Sequence, residues 1–308
     1  MTQLRLAIVG LGKIARDQHL PTVAALPAIA LAAIADPNAS LDGVASFASL
    51  EEMLRDGPPI DAVALCTPPQ LRGRQAAMVL AAGKHVLLEK PPAATFSGIA
   101  PLVDVARASG KTLFASWHAR FSPAVEPAKA WLAEREIRAV RVIWKEDVRV
   151  WHPGQAWIWE PGGFGVFDPG INALSILTRI LPQPFVLTRA ELAFPSNRAA
   201  PIAATLDFSD TGGLAIHADF DFRQTGTQTW AIEVDTDRGR LTLSAGGAKL
   251  THDEHVLVDE KKAAYPLIYR RFLDLIARGE SDVDLAPLAH VADAFMLGRR
   301  HVVEPFED

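Results

Sequence analysis

Two side chains four residues apart, Asp168 and Asn172 in "DPGINALSI", pose the first chemical question. On a helix this spacing puts both on one face, within reach of a single hydroxyl group. The carboxylate can take a proton, whereas the amide can only orient one, because asparagine has no basic site. Just upstream runs "WKEDVRVWHPGQAWIWEPGGFG", and four of the chain's seven tryptophans lie between Trp144 and Leu174. Glu146 and His152 stand among them, so an aromatic wall adjoins groups that donate and accept hydrogen bonds. A different chemistry is written near the start, where a strand-like run ends in Gly10-x-Gly12-x-x-Ala15. Gly10 permits a tight turn, Gly12 lets a pyrophosphate approach the backbone, and small Ala15 allows close helix packing.

Asp36 closes the second strand-like run, where an acid can bind the two hydroxyls of a ribose. A carboxylate there would repel a 2′-phosphate, and Pro37 follows in place of an arginine that could neutralise one. NAD is therefore expected ahead of NADP, while Arg16 offers another phosphate partner and keeps NADP use open. Asp36 also suits the start of the "DPNAS" turn. Lys13 and Ile14 in the first turn, Thr67 and Pro68 after the third strand, and Glu89 and Lys90 after the fourth complete the expected cofactor contacts, with Gln155 reaching the nicotinamide carboxamide. Lys90 lies at the strand edge where open α/β sheets bind ligands, and a cation there can hydrogen-bond a reacting hydroxyl. A lone lysine at a strand end also fits a solvated surface charge.

The elements that must position these groups follow from periodicity. Up to about residue 120, apolar strands at 4–10, 29–36, 61–68, 85–91 and 112–118 alternate with helical segments near 14–26, 49–55, 70–82 and 95–109, which predicts a doubly wound α/β domain over 1–119. From 120 to 308 the texture changes: a helix at 123–135, a long strand at 138–150, a helix from 169 to 181, and several strands between 186 and 257 joined by short turns. This predicts a second α/β domain with a large, open, mostly antiparallel sheet. Helices near 264–278 and 284–300 close the chain and could pack back on the first domain.

Composition narrows the partners. A net charge of −5 with scattered basic residues leaves no footprint for nucleic acid or anionic lipid. One cysteine, Cys66, rules out an internal disulfide and suits a reducing compartment; no leader or membrane-length apolar run is read, so cytoplasmic residence is expected. The histidines adopt no metal-ligand spacing and no G-x-S-x-G elbow occurs, so neither a metal centre nor a serine hydrolase is expected.

"GLGKIA", "CTPPQ" (66–70), "EKP" (89–91) and "GGFGVFDPGIN" together resemble the Gfo/Idh/MocA oxidoreductase family over essentially the whole chain. Within it, "GKIARDQHLP", "LLEKPP", "WKEDVRVWHPGQAWIWEPGG" and "DPGINALSI" are similar to bacterial aldose 1-dehydrogenases, which oxidise L-arabinose, D-galactose or D-fucose to the lactone. The resemblance implies a Rossmann domain, an open-sheet domain whose far face joins copies into a homo-oligomer, and a functional Lys90. Many members carry histidine where this chain has Asn172; here the proton must go elsewhere, to Asp168, which suits the more acidic anomeric hydroxyl. Asp168 before Pro169 also fits a helix N-cap with proline at the first helical position. For an aldopyranose, Trp151 and Trp230 would stack on the C–H face, while Glu146, His152 and His118 meet the hydroxyls. Each tryptophan singly also fits a core, and "GGFG" also fits a plain loop. The rival readings are a ring-alcohol dehydrogenase and a non-catalytic dinucleotide-dependent regulator.

Overall fold

Leu6, Ala7 and Ile8 are wholly buried, and β1 (Leu4–Val9) is accordingly the apolar centre of a parallel sheet covered on both faces. The structure, a computed structural model, describes residues 3–261 and 263–307. After β1 a π-helical turn (Ala15–His19) runs into α1 (Leu20–Ala24), followed by β2 (Ile29–Ala35), β3 (Ala45–Phe47), α2 (Leu50–Asp56), β4 (Ala62–Leu65), α3 (Pro69–Ala81), β5 (His85–Leu88), α4 (Ala100–Ala108) and β6 (Leu113–Ala115). All pairs are parallel, in the order β3-β2-β1-β4-β5-β6. The order reverses between β1 and β4, which is where such sheets open a ligand crevice. Gly10 follows β1 and Thr67 follows β4, so both candidate cofactor turns stand at this switch point.

The rest of the chain begins with α5 (Val125–Leu132), β7 (Ile137–Lys145), a one-turn α6 (Val148–Trp151) and α7 (Phe167–Ile180). Strands β8 (Phe185–Pro195), β9 (Ala203–Asp210), β10 (Ala215–Asp221), β11 (Thr229–Thr236), β12 (Gly239–Ser244), β13 (Lys249–His252) and β14 (His255–Asp259) follow, then α8 (Ala264–Arg278), α9 (Ala286–Leu297) and β15 (Arg299–Val303). The second sheet is nine-stranded, ordered β14-β13-β12-β11-β7-β10-β9-β8-β15. It is mostly antiparallel, with β7–β10 and β8–β15 parallel. Buried Val140, Val142 and Trp144 alternate along β7 with more exposed residues, so one face is core and the other open. Among the described residues, no helix is long and apolar enough to cross a membrane.

The chain divides into two compact units, Met1–Trp117 with Ala264–Leu285 and His118–Ala263 with Ala286–Asp308. The expected boundary at 119/120 thus falls at 117/118, and α8 belongs with the first unit. Three further expectations are corrected. A sixth strand, β3, joins the first sheet, too short at three residues for alternation to reveal. The strand expected over 138–150 stops at Lys145, because Asp147 accepts from the Arg149 backbone N–H and caps α6. The helix expected to run to 300 ends at Leu297: beyond it lies Gly298, where any Cβ would strike Ala294 O at 2.4 Å, and the chain turns into β15.

Candidate active site

In the first unit, Gly10 has φ +88°, and a Cβ there would lie 2.8 Å from Thr67 N. It is glycine because the two turns of the switch point touch. At Gly12 a Cβ would meet nothing within 4 Å, so that backbone is open to approach, as a bound pyrophosphate requires. Ala15 is fully buried, as close helix packing demands. Asp36 Oδ2 accepts from Leu11 N at 2.7 Å and Oδ1 from Asn38 N at 2.9 Å, so it ties the glycine turn to the end of β2 and also serves its own turn. These residues fit a dinucleotide.

Other expected cofactor contacts lie differently. Lys13 is exposed and paired with Asp17, and Ile14 is half-buried. Thr67 and Pro68 are half-buried beside the start of α3, with the Thr67 hydroxyl bonded to Gln75. Glu89, by contrast, is turned inward: only 2% exposed, it accepts from the Tyr265 hydroxyl and the Lys90 backbone N–H and faces His19. Cys66 is buried, as its position at the end of an apolar run suggested.

The second unit brings the candidate substrate residues together through α7. That helix is buried along most of its length, and it packs tightly on the sheet at Gly170, where a Cβ would come within 2.7 Å of the Phe220 ring. Asp168 and Asn172 flank this point by two residues on either side. Because the helix begins at Phe167 with Val166 as N-cap, Asp168 is its second residue and Pro169 its third, not cap and first residue. The Asp168 Oδ2 stands 3.7 Å from His152 Nδ1, and His152 Nε2 stands 3.2 Å from Glu146 Oε1. The other Glu146 oxygen accepts from the Trp230 indole N–H at 2.7 Å. A chain Trp230–Glu146–His152–Asp168 results, and the buried Glu146 orients its neighbours in it. The Asn172 Oδ1 is buried and meets no hydrogen-bond donor among the described residues. Unsatisfied buried acceptors are rare in folded proteins and call for an explanation.

The tryptophans divide by burial. Trp144 and Trp159 are core, whereas Trp151 is 40% exposed and packs on half-buried Trp230 with centroids 4.9 Å apart. Trp144 stacks behind Trp230 at 6.1 Å. The two indoles expected as a stacking wall are adjacent to each other and partly accessible. The cap by Asp147, whose pKa is held low by its hydrogen bond to Arg149, fixes the turn that presents Trp151 and His152. "GGFG" serves the loop itself: a Cβ at Gly163 would lie 2.3 Å from Trp157 O, and one at Gly165 would lie 2.3 Å from Pro201 O. Half-buried Gln155 precedes the Ala156–Trp159 turn, and its N–H bonds His152 O; His118 opens a turn over His118–Phe121.

Sequence reasoning missed four buried groups around Glu89: His19, Arg72, Tyr265 and Tyr269. One signal was present, since the chain's only two tyrosines stand four apart on α8.

Known proteins are similar to this chain over its full length. Residues 4–116 match the model of the Gfo/Idh/MocA group, described as an oxidoreductase family with an NAD-binding Rossmann fold. Galactose 1-dehydrogenase of Pseudomonas fluorescens is 47% identical over 308 residues, covering all of both chains. The crystal structure of a D-galactose-1-dehydrogenase protein from Rhizobium etli superposes with a TM-score of 0.95 at 56% identity, covering 100% of this chain and 99% of that one. A 3-ketoreductase from Actinomadura kijaniata, in complex with TDP-benzene and NADP, shares the fold at a TM-score of 0.85 and 21% identity, covering 99% of this chain and 100% of that one. With a relative this similar across its full length, the chain belongs to the Gfo/Idh/MocA oxidoreductase family.

Proposed function

We propose that the protein is an NAD-preferring aldose 1-dehydrogenase, oxidising C1 of a galacto-configured pyranose (D-galactose, D-fucose or L-arabinose) to the lactone. The observation that carries the reading is the orphaned Asn172 Oδ1, one helical turn from Asp168. An acceptor lacking a donor beside a carboxylate suits a hydroxyl-bearing ligand. The full-length relatives named for galactose oxidation support the same substrate class.

In this reading Gly10, Gly12 and Asp36 hold the dinucleotide, which supplies a hydride acceptor. Asp168 takes the C1 hydroxyl proton as the C1–H bond gives up its hydride and C1 becomes the lactone carbonyl. Asn172 orients that hydroxyl, and Lys90 polarises its oxygen. Trp151 and Trp230 cover the C–H face of the ring, while His152, held by Glu146, meets a ring hydroxyl. The open face of the nine-stranded sheet is assigned to contact with further copies of the chain, and cytoplasmic residence goes with the reading.

The test is NADH formation with D-galactose, D-fucose, L-arabinose, D-glucose and myo-inositol. Turnover confined to the first three is expected; turnover of myo-inositol alone, or of none, would sink the reading. The cofactor preference has its own test. Asp36→Ala should raise the NADP-to-NAD ratio of kcat/KM about 10- to 100-fold, because a carboxylate a few ångströms from a phosphate costs about 1–4 kcal/mol depending on the local dielectric. Loosening of the glycine turn affects both cofactors and cancels in that ratio. An unchanged ratio would mean Asp36 is only a turn residue.

A further inference from the structure

Glu89, expected at the cofactor, instead anchors a polar cluster inside the first unit. Its Oε1 accepts from Tyr265 OH at 2.7 Å and lies 3.0 Å from His19 Nε2, while His19 Nδ1 lies 2.7 Å from Tyr269 OH. Its Oε2 accepts the backbone N–H of Lys90 at 3.0 Å. From the other side, the buried Arg72 guanidinium donates to the carbonyl oxygens of Glu89, at 2.8 Å, and of Pro91. Burial alone would lower the His19 pKa, but Cys66, Tyr269 and Glu89 around it outweigh burial and hold it well above the usual imidazole range. Burial raises Tyr265 well above the ordinary phenol value, with Glu89 adding to the effect, so its hydroxyl keeps its proton to donate.

Apolar packing of the same volume would stabilise this core at least as well, since buried charges repay their desolvation only when fully bonded. What the cluster does that apolar packing could not is grip particular backbone groups. Its bonds end on Glu89 O, Lys90 N and Pro91 O, three consecutive residues centred on Lys90. The grips come from three separate elements: His19 at the end of the turn that follows the glycine motif, Arg72 on α3, and Tyr265 on α8. Local strand pairing does not supply this, because β5 ends at Leu88, before Lys90.

We propose that His19, Arg72 and Tyr265 are positioning residues for Lys90, acting through Glu89 and the flanking carbonyls to hold the backbone from which the ammonium group projects. The inference rests on the reading above, in which that ammonium polarises the reacting oxygen. The same grip links the glycine turn to Lys90 through His19, so the cofactor-binding turn and the cation share one support.

Tyr265→Phe is the informative variant, because it removes one hydroxyl and keeps the ring, whereas Glu89→Gln risks failing to fold. The kcat on D-galactose should fall about tenfold, with the sugar KM and the NADH affinity, read by fluorescence, within about twofold. In a Lys90→Met background the same change should alter kcat less than about twofold, because the partner it acts through is gone. Equal losses in both backgrounds, accompanied by a lower Tm, would show a structural role and overturn the proposal. Should the wild-type protein turn over none of the sugars, the reading of the reaction fails, and positioning is then read without turnover. The acylation rate of each lysine by an amine-reactive ester, mapped by mass spectrometry, should change at Lys90 by about threefold or more in Tyr265→Phe and stay constant at other lysines. An unchanged Lys90 rate would refute the positioning role.

Discussion

Replacing Asp168 by asparagine is expected to lower kcat about 10²- to 10⁴-fold, the range that loss of a positioned general base produces. The substitution is nearly isosteric and keeps an acceptor oxygen, so sugar binding should change far less than turnover. What it removes is the capacity to take a proton. The surroundings make this a sharp test. Asp168 is the second residue of α7 and faces His152 at 3.7 Å, while its neighbour on the next turn, Asn172, cannot act as a base. A base must be ionised to act, so kcat/KM of the parent enzyme should fall on the acid side of its pH profile, and the variant should lose that limb. If Asp168 merely stabilises the first turn of the helix, the result differs in kind: Tm drops by a few degrees, as for loss of about 0.5–1 kcal/mol, and kcat stays within a factor of a few. The two outcomes are read from one purified variant by a rate and a melting curve.

Lys90→Met is expected to reduce kcat about 10²- to 10³-fold, comparable to removing one donor from an oxyanion-type site. Methionine retains much of the apolar stem of a half-buried side chain, so packing changes little and Tm should move by only a few degrees. NADH affinity provides the discriminating control. Were Lys90 chiefly a cofactor contact, the substitution would weaken NADH binding and raise the cofactor KM with kcat largely intact. A loss in kcat at saturating NAD and sugar places the effect on the reacting oxygen. A variant retaining kcat within about threefold, with unaltered NADH binding, would return Lys90 to the status of a solvated surface charge.

Much of the first unit was legible locally. A glycine turn, an acid at the end of the second strand and short apolar runs separated by helices are all contiguous signals, because a parallel strand buried on both faces needs little beyond apolar side chains. The nine-stranded sheet was legible as a class, since alternation marks a half-buried strand. The parallel β7–β10 and β8–β15 pairs were not, because alternation says which face is buried and nothing about which neighbour lies alongside. Within the candidate site, the Asp168–Asn172 spacing and the Trp151, Trp230 and His152 set could be picked out as candidates from residue types.

Contiguous residues specify the dinucleotide-binding turn, the α/β class of both halves and the side chains available for chemistry, since each depends on neighbours a few residues apart. Which of those side chains are buried and which stay accessible follows from the tertiary structure alone. Trp144 and Trp151 look alike in the chain, yet one is core and the other is exposed, because strand β7 and the capped turn after it point them differently. Glu89 and Glu146 look alike as acids in the chain, and both are buried carboxylates bonded to distant side chains. Their partners, Tyr265 and Trp230, come from 176 and 84 residues away, a separation that no local pattern encodes. A buried charge is stable only with its bonds satisfied, and those bonds exist only once distant segments have packed together.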